Sequence, residues 1–254
     1  MPLPCFLKLQ REGSRASRFR GGPSWRHSSK AVTEPKETRE ISDRDARRGW
    51  YLAEHRLASM EKPDFPLPPN LPRPVDDGAA EHLKGVPIPP LTLRSTSGRR
   101  VNLSDLRAPR TVIYCYPMTG VPGKLLPVGW DLIPGARGCT PQTCGFRDHH
   151  QELVELQVEV FGLSTQTTEY QQEMARRLQL PFEILTDAEF KLCDQLHVPT
   201  FEVDEMRLLK RLKRLTMVVR GGRIEHVFYP VFPPNESAEQ VLRWLRKQKH
   251  SNST

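Results

Sequence analysis

The chain has 254 residues, of which 37% are hydrophobic and 24 are prolines, and its formal net charge is +8. A chain of this length can bury an ample core in one domain and still carry polar segments outside it. The charge does not indicate a nucleic-acid-binding protein, because residues 1–30 alone account for +6 and the other basic runs lack interleaved aromatic residues. No apolar run approaches a membrane span, and five irregularly spaced cysteines are not a secreted disulfide framework. We therefore expect a soluble protein of a reducing compartment.

The first part of the chain is predicted to lie outside the globular domain. Residues 1–60 are polar and charge-mixed, and we interpret them as a disordered basic leader or tail. Residues 1–30 are rich in Arg and Ser and nearly free of acids, as mitochondrial presequences are, but Pro2 and Pro4 disfavour an early helix. We predict a cytoplasmic protein, with mitochondrial targeting by residues 1–30 as the alternative and Met60 as a further candidate start.

A Pro-rich lead-in over residues 61–84 is predicted to be extended, and a domain over residues 85–250 follows it. The predicted strands are 91–93, 100–103, 111–116, 158–164, 183–185, 215–219 and 223–229, and the predicted helices are 140–157, 168–178, 188–197 and 237–249. The first two strands and the last two form hairpins. An alternation of strands and helices that ends in a hairpin and a helix predicts an α/β, thioredoxin-like fold: a central mixed β-sheet flanked by helices on both faces.

Two cysteines five residues apart are the strongest chemical signal. Thr140 is a good N-cap and Pro141 suits the first helical position, so we expect a helix to begin directly after Cys139. A thiol there faces unpaired backbone N–H groups and the positive end of the helix dipole, which favours the thiolate. We predict Cys139 to be a nucleophile with Cys144 as its partner. The spacing is not the Cys-x-x-Cys of metal sites, and neither a metal nor a cofactor is predicted.

Five segments in order carry a resemblance to a known family. They are Tyr-Cys-Tyr-Pro at 114–117, Gly-Cys-Thr-x-x-x-Cys-x-Phe-Arg-Asp at 138–148, Gly-Leu-Ser at 162–164, Leu-Pro-Phe-x-x-Leu-x-Asp at 180–187, and Arg214 ahead of a buried strand. In these segments, over residues 85 to 250, the chain resembles the peroxiredoxins of the Q-type, or bacterioferritin-comigratory-protein-like, branch.

The resemblance implies a thiol peroxidase that reduces hydrogen peroxide and small organic hydroperoxides. Cys139 would be the peroxidatic nucleophile, and Cys144 would resolve its sulfenic acid into an intramolecular disulfide. Arg214 would stabilise the thiolate and the peroxide, and Thr119 would accept the peroxide proton. A thioredoxin-type reductant would recycle the disulfide. We predict a monomer, because no extended arm with a further cysteine follows the last helix.

Two features depart from the family pattern. Pro117 stands twenty-two residues before Cys139, and Ala136 occupies the position three before it, where the family has Thr or Ser. An insertion over residues 124–137 displaces the Thr119 segment. A doubled Lys-Arg-Leu also makes Arg211 a rival to Arg214. The alternatives are therefore a non-enzymatic redox-sensing adaptor on this scaffold or a protein thiol-disulfide oxidoreductase.

Helix geometry makes the disulfide conditional. Residues five apart on one helix have Cα atoms about 8–9 Å apart and about 140° around the axis. A disulfide does not bridge Cα atoms more than about 7 Å apart. Either Cys139 lies outside the helix or the first turn unwinds, so we predict local opening of residues 138–144 during turnover. Cys115 and Cys193 are predicted to be core thiols.

Overall fold

The structure is a computed structural model that describes residues 67–203 and 209–251. The predicted leader over residues 1–60 lies outside these ranges. The strands are β1 (Thr92–Ser95), β2 (Arg100–Asn102), β3 (Arg110–Cys115), β4 (Val158–Ser164), β5 (Glu183–Thr186), β6 (Thr200–Val203), β7 (Leu209–Leu212), β8 (Leu215–Arg220) and β9 (Arg223–Phe228). The helices are α1 (Cys139–Asp148), α2 (His150–Glu155), α3 (Thr168–Arg177), α4 (Lys191–Leu196) and α5 (Ser237–Ser251). Short 3-10 helices cover Glu81–Leu83, Leu103–Asp105, Trp130–Leu132 and Pro234–Glu236.

Seven strands form one mixed sheet in the order β2-β1-β5-β4-β3-β8-β9. The central strands β3, β4 and β5 are parallel, whereas β1 and β8 run antiparallel to their neighbours β5 and β3. In the register, Val112 of β3 faces Val160 of β4 on one side and Val218 of β8 on the other. The predicted hairpins are confirmed as β1–β2 and β8–β9.

Alternation along the strands divides the apolar side chains between two cores. Val112 and Tyr114 of β3 pack with α1, α2, α3 and α5 on one face. Ile113 and Cys115 pack with α4 on the other face. Helices therefore cover both faces of a mixed sheet, which confirms the predicted architecture.

The predicted helix over residues 140–157 is wrong in its continuity, because α1 and α2 are separate helices. His149 has φ −97° and ψ 9°, which are not helical values, and its N–H reaches the carbonyls of Arg147 and Gly145. The apolar residues Phe146 and Leu153 lie seven positions apart and stay on one face across the break. The apolar periodicity therefore runs through the junction without revealing it.

The antiparallel pair β6–β7 was not predicted. Its strands are four residues long, and Lys210 and Arg211 interrupt the apolar pattern of β7. The C-terminal end of the lead-in also differs from expectation, since it packs against the domain. Ala80 and Leu83 are 4% and 0% exposed and belong to the core beside α4.

Within the described residues, none of the helices combines the length and the apolar content that crossing a bilayer requires.

Candidate active site

Cys139 is the first residue of α1, which corrects the expectation that Thr140 caps the helix and leaves the cysteine outside it. Gly138 is the N-cap, with φ 101° and no capping side chain, and its carbonyl accepts the first helical bond from the N–H of Gln142 at 3.0 Å. Pro141 lies in the first turn, where backbone N–H groups have no helical acceptor in any case. The Cys139 side chain is therefore held at the positive end of the helix and is only 3% exposed.

Arg214, in the link between β7 and β8, reaches the sulfur of Cys139. Its Nη2 lies 3.1 Å from Cys139 Sγ and 3.1–3.2 Å from the carbonyl oxygens of residues 135–137. The arginine is 3% exposed. It therefore contacts the thiol and also fixes the turn that precedes it. This long-range contact ties the start of α1 to the link between β7 and β8.

Gln142 is a site residue that the sequence analysis missed. It is fully buried, its Oε1 accepts from Arg214 Nη1, and its Nε2 donates to Ser237 Oγ at 3.3 Å. It thereby ties the guanidinium to the start of α5. A signal was available, because residues three apart on a helix share a face and Gln142 follows Cys139 by three.

A cavity of ≈ 400 Å³ opens at Cys139. Thr119 lies in its wall, 1% exposed, and donates its hydroxyl proton to Gln166 Oε1 at 3.2 Å. The backbone N–H of Thr119 donates to the same oxygen at 2.9 Å, and Gln166 Nε2 donates back to the Thr119 carbonyl at 3.1 Å. The structure thus brings Thr119 to the cavity of Cys139, without a direct hydrogen bond between the two among the described contacts. The Thr119 hydroxyl oxygen can still accept a hydrogen bond from another group.

The insertion over residues 124–137 forms the rim of this cavity. Trp130 lines the cavity and also anchors the insertion, since it is 2% exposed and its ring centroid lies 6.0 Å from that of Phe201. Arg137 and Asp131 close the insertion with an ion pair at 3.0 Å. The insertion therefore leaves the cavity open while Thr119 and Cys139 share its wall.

Cys144 lies on the same helix as Cys139 and is 8% exposed. It packs into the core beside Phe146, whose ring stacks on Tyr114 at 4.4 Å. The Tyr114 hydroxyl donates to Thr143 Oγ1 at 3.3 Å, and burial raises the pKa of this phenol far above its usual range. Because both cysteines belong to one unbroken helix, their sulfur atoms are not in bridging geometry in this conformation.

Arg211, the rival to Arg214, and the thiols of Cys115 and Cys193 have other surroundings. Arg211 donates to Thr165 Oγ1 at 3.3 Å and makes no hydrogen bond to Cys139. Burial raises the pKa of Cys193 to about 11 and the pKa of Cys115 well above its ordinary value, so both remain protonated core thiols. Cys139, by contrast, has an arginine, Arg214, in direct contact with its sulfur.

Comparison with known proteins decides the family. A sequence model of the Redoxin family matches residues 83–242. Peroxiredoxin Bcp of Escherichia coli (strain K12) is 30% identical over 160 residues, which is 63% of this chain and 92% of that protein. The chain is a peroxiredoxin, with relatives in the Bcp and Q groups. It is therefore a thiol peroxidase, an oxidoreductase that uses cysteine to reduce peroxides.

Further relatives agree with this assignment. The chloroplastic peroxiredoxin Q of Sedum lineare is 29% identical over 193 residues, 76% of this chain and 90% of its own. In fold, this peroxiredoxin is similar to Peroxidoxin BcpB of Mycobacterium tuberculosis, with a TM-score of 0.53 and 24% identity over 65% of this chain and 96% of that one. It is also similar to PrxQ of Xylella fastidiosa, with a TM-score of 0.51 and 18% identity over 72% and 99% of the two chains. The predicted thioredoxin-like fold is thereby confirmed.

Proposed function

We propose that this peroxiredoxin reduces hydrogen peroxide and small organic hydroperoxides with Cys139 as peroxidatic residue and Cys144 as resolving residue. The observation that carries the proposal is the 3.1 Å contact between Arg214 Nη2 and Cys139 Sγ, inside a buried site that opens on a cavity. A fixed cation beside a thiol at a helix N-terminus favours the thiolate, which is the nucleophile. The same cation meets the charge that develops on the peroxide oxygens.

In the first step the thiolate sulfur of Cys139 attacks one oxygen of the hydroperoxide ROOH. The S–O bond forms as the O–O bond breaks, and the departing RO⁻ leaves as ROH after taking up a proton. Cys139 becomes a sulfenic acid, oxidised by two electrons. Thr119 supports this step, since its oxygen can accept a hydrogen bond from the peroxide O–H while its own hydroxyl donates to Gln166 Oε1.

In the second step the Cys144 thiol attacks the sulfenic sulfur, an S–S bond forms and water leaves. The separation of the two cysteines on α1 requires the first turn of this helix to unwind before the bond can form. Unwinding also breaks the Gln142–Arg214 contact, so the site that favours attack is dismantled for resolution.

A reductant must return the disulfide to two thiols before the enzyme can react again. We propose that a thioredoxin-type dithiol of the cytoplasm reduces the Cys139–Cys144 disulfide, since unwinding of the first turn exposes the bond to thiolate attack. We propose a monomeric enzyme, because both cysteines of the disulfide belong to the same helix of one chain.

Mass-spectrometric mapping of the reduced protein after brief exposure to equimolar hydrogen peroxide tests the proposal. We expect a rapid and selective Cys139–Cys144 bridge. A Cys144→Ser variant should stop at the Cys139 sulfenic acid, which a dimedone probe traps, and a Cys139→Ser variant should consume no peroxide. Slow oxidation scattered over the remaining cysteines would overturn the assignment and favour the non-enzymatic alternative.

A further inference from the structure

Residues 67–77 of the lead-in, named the lead-in segment, approach the turn that carries Cys139 at two points. The turn comprises residues 135–139. A β-carbon built on Gly138 would stand 3.0 Å from Leu67 Cδ2, and one built on Gly135 would stand 3.5 Å from Pro74 Cβ. Leu67 also lines the cavity of Cys139. This segment precedes the region of the Redoxin match, which begins at residue 83.

Asp77 fastens the C-terminal end of the segment beside the catalytic arginine. Its carboxylate accepts from Lys213 Nζ at 2.5 Å and from the Tyr229 hydroxyl at 2.6 Å. Lys213 immediately precedes Arg214, so the segment is joined to the same link that places the guanidinium. Hydrogen bonds from Lys213, the larger effect, and from Tyr229 hold the pKa of Asp77 well below its usual range.

The segment meets the turn at separate points rather than along a continuous surface. Pro74 and Val75 of the segment line a cavity of ≈ 240 Å³ together with Gly135 and Arg214. The Asp77–Lys213 pair is partly exposed, at 46% and 33% of the two side chains, so it is a weak fastening. Such an arrangement restrains the turn at residues 135–139 but still allows it to open.

We infer that the lead-in segment is a clamp on the turn at residues 135–139 and that it sets how often the start of α1 opens. The importance of this opening for catalysis rests on the proposed function, in which Cys139 must leave Arg214 to reach Cys144. The clamp keeps the thiolate in its attacking position and slows the change to the resolving one. Leu67 and Asp77 are thus positioning residues for the peroxidase reaction.

The test begins with hydrogen exchange of the reduced, peroxide-free, full-length protein. Asp77→Ala and Leu67→Gly should each accelerate exchange at the amides of residues 142–145 about fivefold. A change of this modest size suits the loss of a single, partly exposed contact. Asp76→Ala is the matched control, since Asp76 accepts only the N–H of Gly78, at 3.0 Å, and should leave exchange unchanged. Exchange in β4 should be the same in all four proteins, which separates local opening from global destabilisation.

Unchanged exchange at residues 142–145 in both variants would overturn the clamp, whatever the enzyme does with peroxide. Equal acceleration in β4 would overturn it too, because the segment would then contribute only to global stability. The second measurement is the rate of Cys139–Cys144 disulfide formation after a stoichiometric pulse of peroxide, which should rise in parallel with exchange. If exchange accelerates and no disulfide forms even in the unsubstituted protein, the clamp stands and the proposed resolving role of Cys144 fails.

Discussion

At the scale of single residues, the site depends on which of two arginines, three positions apart, turns toward the sulfur. Arg214 Nη2 donates to Cys139 Sγ and to the carbonyls of residues 135–137. Its Nη1 donates to Gln142 Oε1. A lysine cannot reproduce this planar fork. We expect Arg214→Lys to lower the second-order rate constant of peroxide reduction by about 100-fold, the cost typical of losing one transition-state donor.

Arg211→Lys is the control for this substitution, since Arg211 bonds to Thr165 and Lys210 instead. The second-order rate constant of this variant should stay within about twofold of that of the unsubstituted enzyme. Stopped-flow measurement with hydrogen peroxide distinguishes the two variants. Equal losses in both would mean that the basic character of the β7–β8 region matters, rather than the Arg214 contact.

The buried thiols give a second prediction at this scale. With a pKa of about 11, Cys193 is ionised to about one part in a thousand at pH 8, and the pKa of Cys115 is raised as well. We expect iodoacetamide at pH 8 to modify Cys139 in the native protein while Cys115 and Cys193 stay unmodified until urea is added. Peptide mapping reads this directly, and early labelling of Cys193 would contradict the burial of α4 against the sheet.

At the scale of elements, the start of α1 depends on a glycine. Gly138 has φ 101°, and a β-carbon there would lie 2.3 Å from Pro234 Cγ. The positive φ and the clash both disfavour any residue with a side chain at position 138. We expect Gly138→Ala to lower the free energy of unfolding by about 3 kcal/mol, measured by urea denaturation, and to slow peroxide reduction.

Gly123 offers the matched substitution in the same cavity wall. Its φ is also positive, 77°, but a β-carbon there meets nothing within 4 Å. Gly123→Ala should therefore cost only the backbone strain, about 1 kcal/mol. If the two variants lose the same stability, the packing of Pro234 against Gly138 contributes nothing.

The elements also show what the sequence could and could not predict. The strand β3 and the hairpin β8–β9 followed from apolar runs and from a Gly-Gly turn, which are local signals. The break at His149 did not, because it leaves the apolar phase intact. The start of α1 at Cys139 did not either, because Gly138, rather than Thr140, is its N-cap. Cys139 and Arg214 were found through motifs, whereas Gln142 and Leu67 act through contacts that no motif records.

At the scale of the whole molecule, the Redoxin match covers residues 83–242, which include Cys139, Cys144 and Arg214. We expect deletion of residues 1–59 to leave the rate constant of peroxide reduction within about twofold of the full-length value. Steady-state assays of the two proteins side by side test this, and a large drop would contradict the interpretation of residues 1–60 as a leader or tail.

The insertion over residues 124–137 has an optical consequence. It places an indole, Trp130, in the wall of the cavity that also holds Cys139, and the ring is nearly shielded from solvent. Indole emission depends on the polarity and charge around the ring, both of which alter when a thiolate becomes a disulfide and the neighbouring turn opens. Trp244, on α5 and stacked on His226, does not line that cavity. If the proposed function holds, we expect stopped-flow emission of Trp130 to report the reaction of Cys139 without a label, with Trp130→Phe as the blank.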